Sequence, residues 1–131
     1  MGPFARAAVE AGADALSLTN TIPAMAIDIE TRRPVLANRI GGLSGAAIHH
    51  VALKHVYDAA QAVKVPIIAM GGIFGAREAI AFLIAGATAV AVGTANFIDP
   101  TTPLRVIDGI RDYLIRHRMA SVSELTGSLQ T

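Results

Sequence analysis

The chain has 131 residues, 53% apolar and 16% charged, with a formal net charge of +1 and no cysteine. That composition excludes a disordered segment, and scattered basic residues with 5% aromatics exclude a nucleic-acid surface. Missing thiols exclude disulfides, cysteine zinc sites and iron–sulfur clusters held by this chain. No uninterrupted apolar run reaches the ~18 residues of a membrane span, and Met1-Gly2-Pro3-Phe4 lacks the features of a signal peptide. A cytoplasmic protein without a membrane partner is expected, with residues 1–131 forming one segment.

In chain order, alanine-rich Phe4 to Ala11 predicts a helix ending at Gly12, and Ala13 to Leu18 predicts a strand running into the turn Thr19-Asn20-Thr21. Ile22 to Asn38, with two prolines and the charged turn Glu30-Thr31-Arg32-Arg33, is a long excursion with room for a short hairpin. Gly41-Gly42-Leu43-Ser44-Gly45 opens a glycine loop. After it Ile48, Val51, Ala52, Val56, Ala59, Ala60 and Val63 recur at helical spacing. Val65 to Met70 predicts a buried strand and Gly75 to Ala85 a helix with Ile80, Leu83 and Ile84 inward, followed by a strand over Thr88 to Val92.

Thr101-Thr102-Pro103 starts a helix from Leu104 to about His117, with Leu104, Ile107, Arg111 and Leu114 spaced along it. Ser121 with Glu124 predicts a capping box for a last short helix. Ala11-Gly12-Ala13-Asp14-Ala15-Leu16 and Ala85-Gly86-Ala87-Thr88-Ala89-Val90 are near copies, each a helix end passing through glycine into a strand. The order implies an α/β fold of parallel strands joined by right-handed crossovers, with three strands, too few to close a barrel.

The most informative pair is Met70-Gly71-Gly72-Ile73 and Val92-Gly93-Thr94-Ala95. Each follows an apolar strand and precedes a helix-forming stretch, which places two glycine turns at the carboxyl ends of neighbouring strands. Glycine lets backbone N–H groups approach an anion, and a helix N-terminus adds partial positive charge. Glycines also serve tight βα turns with no ligand. Two such turns on consecutive strands, with the Gly41 to Gly45 loop nearby, favour a phosphate cradle like that at the end of a (β/α)8 barrel. Gly71, Gly72, Gly93 and Thr94 are its candidate residues.

Asn20 and Thr21 lie just past a strand's carboxyl end, where an amide could pair with a planar ligand edge or instead close an Asx-type turn on its own backbone. Position favours the ligand. His49, His50 and His55 are read as solvated helix surface, His117 as complementing a helix dipole, and Lys64 as a helix cap. The carboxylates show no paired spacing for acid–base work. No catalytic residue and no metal ligand is assigned.

Asp14 to Thr21, Gly41 to Gly45, Met70 to Ile73 and Val92-Gly93-Thr94-Ala95-Asn96-Phe97 together closely resemble the carboxyl-terminal half of dihydroorotate dehydrogenase. The stretch Ile29 to Asn38 resembles its class 1B, NAD-linked branch. The resemblance covers nearly the whole chain and implies the C-terminal portion of an FMN-containing TIM (β/α)8 barrel, a fragment, oxidising dihydroorotate to orotate in pyrimidine biosynthesis. By resemblance Asn20 and Thr21 would bind the orotate ring and Thr19 would lie against the flavin. Gly45 would contact FMN by its backbone, and Gly71, Gly72, Gly93 and Thr94 would hold its phosphate. The class 1B branch also implies a partner subunit carrying FAD and an iron–sulfur cluster.

Two departures stand out. Ala46 and His50 occupy positions where the family usually has prolines. The family's amino-terminal barrel half supplies the catalytic base, a flavin-contacting lysine and further substrate asparagines, which have no counterpart here. The expectation is therefore a chain inactive alone. The alternative is a non-catalytic half-barrel that binds FMN or phosphate weakly and self-associates through its open sheet edge and apolar side. A phosphate-binding lyase or isomerase barrel shares the late glycine turns but not the Thr19-Asn20-Thr21 and Gly-Leu-Ser-Gly elements.

Overall fold

Three parallel strands with helices packed on one face organise the computed structural model, which describes residues 1–130. Helix α1 (Gly2–Glu10) leads into β1 (Leu16–Leu18). An excursion follows, containing β2 (Ile22–Ala24), β3 (Ile27–Asp28), β4 (Arg33–Pro34) and β5 (Gly41–Leu43). A 3-10 turn (Ala46–Ile48) enters α2 (His49–Ala62), then β6 (Ile67–Met70), α3 (Ala76–Ile84) and β7 (Ala89–Ala91). The chain continues with α4 (Thr94–Ile98), α5 (Thr102–His117) and α6 (Val122–Leu125).

The sheet order is β1-β6-β7, all parallel, with Leu16 opposite Ile67 and Ile68 opposite Ala89. The crossovers that a parallel ladder requires are supplied by α2 and α3. Val56, Ala59, Ile67, Ala69, Ala79 and Phe82 form a continuous core between sheet and helices. Phe82 is fully buried, and removing such a side chain from water contributes about 1.5–3 kcal/mol. A second cluster of Ile80, Leu83 and Leu125 fastens α6 beneath α3 and the end of α5.

The near-copied segments fold alike. Gly12 takes φ +102° and Gly86 φ +117°, conformations that favour glycine. Each closes its helix with the same pair of bonds. Gly12 N–H donates to Val9 (2.9 Å) and Ala13 N–H to Ala8 (3.1 Å), while Gly86 N–H donates to Leu83 (3.0 Å) and Ala87 N–H to Phe82 (2.9 Å). This is the Schellman arrangement, and it aims both chains into strands that flank β6.

Several expectations are corrected. Val65 to Met70 is not buried on both faces: Ile67 and Ala69 face the helices, but Ile68 is 40% exposed because helices cover only one side. The first strand starts at Leu16 rather than Ala13, where the Schellman turn still holds the chain. The excursion holds the short hairpin expected there, β3 with β4, but Gly41-Gly42-Leu43 is not a loop: it is a strand that returns antiparallel beside Ile22–Ala24. Every residue from 25 to 40 is exposed.

On α5 the buried positions are Thr102 and Val106, while Leu104 and Ile107 lie outward. Ser121 stands at the N-cap of α6 but its side chain makes no cap bond; its hydroxyl bonds Ser123, and Glu124 accepts the Ala120 N–H at 3.0 Å. Lys64 is exposed and makes no hydrogen bond among the described residues, since Val63 has already turned extended and closes α2. No helix among the described residues is long and apolar enough to cross a membrane.

Candidate functional site

The carboxyl ends of β1, β6 and β7 open on one side of the sheet, and the segment after β5 folds across them. A cavity of about 160 Å³ forms there, lined by Thr19, Thr21, Gly45, Gly71, Gly72, Gly93 and Thr94, with Ser44, Ile48, Met70, Ile73, Phe74 and Ala95. Seven of the eight residues assigned from the sequence thus share one cavity. The eighth, Asn20, is exposed and outside the lining; its Oδ1 accepts the Thr21 N–H at 2.7 Å. Taking ~30 Å³ per water, the space holds roughly five waters, suited to a phosphoryl group but not to a whole flavin ring.

The donors are backbone. Among the described residues the N–H groups of Gly71, Gly72, Gly93 and Thr94 donate to no protein acceptor. Gly93 is exposed and Gly71, Gly72 and Thr94 are half-buried, so these free donors face a water-accessible cleft where water or an anion can accept from them. The Thr94 hydroxyl reaches the Ser44 hydroxyl at 3.0 Å, tying the turn after β7 to the loop after β5. Thr19 is held by β6, its N–H 3.1 Å and its hydroxyl 3.3 Å from the Met70 carbonyl.

Local packing explains the glycines. A Cβ on Gly72 (φ +68°) would lie 2.8 Å from His49 Cβ and 2.9 Å from the Gly45 carbonyl; one on Gly71 (φ +131°) would lie 2.6 Å from Ala52 Cβ. This single turn after β6 is pressed against the start of α2. Gly93 is different. It has φ −101°, and a Cβ there would meet nothing within 4 Å, so the space beside this cavity-lining residue is open. Gly45 (φ +88°) lies across from it, its Cβ direction 3.8 Å from Thr94 Cγ2.

The dipole part of the expectation is weaker than the sequence suggests. Gly93-Thr94 opens α4, which has 5 residues, and Gly71-Gly72 is separated from α3 by Ile73, Phe74 and Gly75. A macrodipole needs aligned turns. The site therefore depends on individual amides and the Thr94 hydroxyl.

His49 is the largest correction. Rather than solvated surface it is buried, 9% exposed, its ring edge-on to Phe82 at 5.1 Å and its Nδ1 3.4 Å from the Gly71 carbonyl. His50 is exposed, and His55 is half-buried with its Nδ1 unpaired. Sequence reading missed His49 and Ser44 as site residues. Their signals exist: His49 shares a 3- and 4-residue spacing with Ala52, Val56 and Ala59, the buried stripe of α2, and Ser44 lies within the Gly-Leu-Ser-Gly element.

Parallel strands with helical crossovers, and glycine turns gathered at the strand carboxyl ends, define a segment of the (β/α)8-barrel class. The dihydroorotate dehydrogenase profile matches residues 2–114, and the chain belongs to that family. It is 57% identical over 128 residues to the catalytic subunit of dihydroorotate dehydrogenase B (NAD(+)) from Geotalea uraniireducens, covering 98% of this chain and 42% of that protein. Against the corresponding subunit from Alkaliphilus oremlandii it is 56% identical over 126 residues, covering 96% and 42%. A crystal structure of the Eimeria tenella dihydroorotate dehydrogenase in complex with ferulenol superposes with a TM-score of 0.79 at 32% identity, covering 97% of this chain and 34% of that one. The chain thus spans about 42% of the length of the curated relatives it matches.

Proposed function

We propose that this chain supplies the FMN-phosphate site and one edge of the orotate site of an FMN-dependent dihydroorotate dehydrogenase, which oxidises (S)-dihydroorotate to orotate in de novo pyrimidine biosynthesis. The observation that carries the reading is the cavity at the strand carboxyl ends, with four unpaired backbone donors and the Thr94 hydroxyl around it. When bound, FMN supplies a two-electron acceptor. The chain's own residues bind and orient. Gly71, Gly72, Gly93 and Thr94 donate to phosphoryl oxygens, Gly45 makes room and a backbone contact, and Thr19 lies where the flavin meets the end of β1. Asn20 and Thr21 offer amide and hydroxyl groups to the pyrimidine edge, which requires Asn20 to release its contact with Thr21.

The relatives are named as catalytic subunits of an NAD(+) enzyme, which supports a partner subunit here too; we assign it FAD and an iron–sulfur cluster, in a cytoplasmic setting. None of the candidate residues in this chain is a base suited to removing a carbon-bound proton, so the chain alone is inactive in this reading. A second reading, a non-catalytic half-barrel that binds FMN weakly and self-associates, draws support from the uncovered sheet face at Ile68.

Gly93→Ala tests the phosphate site. The methyl group meets no protein atom, so the melting temperature stays within about 2 °C of the parent. The same methyl fills the cradle, and FMN affinity, followed by flavin fluorescence quenching, falls about tenfold or more. Riboflavin, which lacks the phosphate, binds both proteins alike. Undiminished FMN binding by the variant would remove the phosphate from this site.

A further inference from the structure

The buried imidazole of His49 belongs to none of the roles above, yet it touches the turn they depend on. His49 begins α2, one turn after Gly45, and its ring is wedged between the fully buried Phe82 of α3 (5.1 Å) and His50 (5.2 Å). Its Nδ1 lies 3.4 Å from the carbonyl oxygen of Gly71. A carbonyl only accepts hydrogen bonds, so the contact requires the proton on Nδ1.

The Gly71–Gly72 peptide is trans, since the one cis bond among the described residues joins Leu18 to Thr19. In a planar trans peptide the C=O of one residue and the N–H of the next point in opposite directions. A carbonyl drawn toward His49 therefore turns the Gly72 N–H the other way. That N–H has no protein acceptor among the described residues, and Gly72 lines the cavity shared with Gly93 and Thr94. The turn has little freedom to rotate back, because the Cβ direction of Gly72 is occupied at 2.8 Å by His49 Cβ and at 2.9 Å by the Gly45 carbonyl.

We propose that His49 is a positioning residue: its Nδ1–H holds the Gly71 carbonyl so that the Gly72 N–H, on the opposite edge of the same peptide plane, faces the phosphoryl group. This rests on the reading that the cavity takes the FMN phosphate, and it extends the binding machinery to a side chain that never touches the ligand. A buried imidazole at this point is a locked donor, with Phe82 fixing the ring and α2 fixing its Cα.

Two measurements test it on the full chain. Long-range 15N–1H NMR of the unaltered protein should show His49 carrying its proton on Nδ1; a bare Nδ1 with the proton on Nε2 overturns the proposal without any mutation. For binding, His49→Leu keeps bulk and removes the donor, whereas His49→Asn places an amide N–H where Nδ1 stood. FMN affinity should fall about tenfold in the leucine variant and recover to within about threefold in the asparagine variant, with riboflavin affinity unchanged throughout. The Gly72 amide resonance should move in the leucine variant and return in the asparagine one.

A merely structural role for His49 would lower FMN and riboflavin binding together and would not distinguish Asn from Leu; that result overturns the proposal. A parent protein that binds FMN no better than riboflavin instead sinks the phosphate reading, and the tautomer and the Gly72 resonance then decide the His49 contact separately.

Discussion

Gly72 and Gly93 are both glycines in turns after parallel strands, but they are glycine for different reasons. Gly72 has a left-handed φ and no room, hemmed by His49 Cβ and by the backbone of Gly45. Gly72→Ala forces apart α2 and the turn after β6, and we expect a loss of about 2–4 kcal/mol in chemical denaturation. A loss below the ~0.5 kcal/mol typical of unremarkable surface changes would mean that the turn is looser than its geometry. Gly93 has room and a negative φ, which is why its alanine variant is the one chosen to separate ligand binding from folding. Gly72, Gly93 and Thr94 are singled out by the glycine-turn pattern and Thr21 by its place past a strand end, whereas Thr19 enters only through the family resemblance. His49 was not legible, because a histidine beside a second histidine and near a lysine looks solvated until the buried stripe of α2 is placed against β6 and Phe82.

At the scale of elements, the helices and parallel strands were legible because apolar periodicity and glycine helix ends are local signals; Gly12 and Gly86 announce their turns in sequence and fold alike. The excursion was harder to read. The pairing of Ile22–Ala24 with Gly41–Leu43 joins residues that no short-range pattern connects, and glycine in a strand reads as loop. The helix starts hold another feature. Asp99 accepts the Thr101 N–H (2.9 Å) and hydroxyl (2.6 Å) and pairs with Arg105 (2.8 Å) ahead of α5.

The Thr101 hydroxyl, then its N–H, and more weakly Arg105, hold the Asp99 carboxyl below its ordinary value. A carboxylate with a depressed folded pKa stabilises at pH above its unfolded value of about 4 and loses that contribution as pH falls through the folded value. Asp28, held down by Thr31, and Asp58, held down by Lys54, act in the same direction. Asp99→Ala should therefore lower the melting temperature at pH 7, and the gap to the parent should shrink below about pH 4. A gap constant across that window would show that the carboxylate's charge plays no part.

For the whole molecule the deciding fact is one-sided burial. Helices cover one face of the sheet, β1 and β7 each pair only with β6 among the described residues, and Ile68 stays open on the other face. Phe97 is 91% exposed, and Ile98, Ile29 and Ile115 are also open to water. Unpaired strand edges beside apolar surface favour pairing with further chains. On size-exclusion chromatography with light scattering the protein should run above its monomer mass, and flavin carried with it should not bleach on addition of dihydroorotate. A monomer at every concentration would contradict the first expectation, and bleaching would contradict the inactivity of the chain alone.

The exposed stretch from 25 to 40 has one further consequence. Arg32 and Arg39 lie on it, exposed, with left-handed φ values of 55° and 65°. A trace of trypsin should nick the chain there first, since exposed loop tips are preferred cleavage sites. The two pieces should then co-migrate under native conditions, because β1 sits in one and β6 in the other, laced by their ladder from Leu16 to Leu18. The protein would thus tolerate being severed in its most visible loop, and that loop is a natural point for inserting a tag or probe without disturbing the glycine turns.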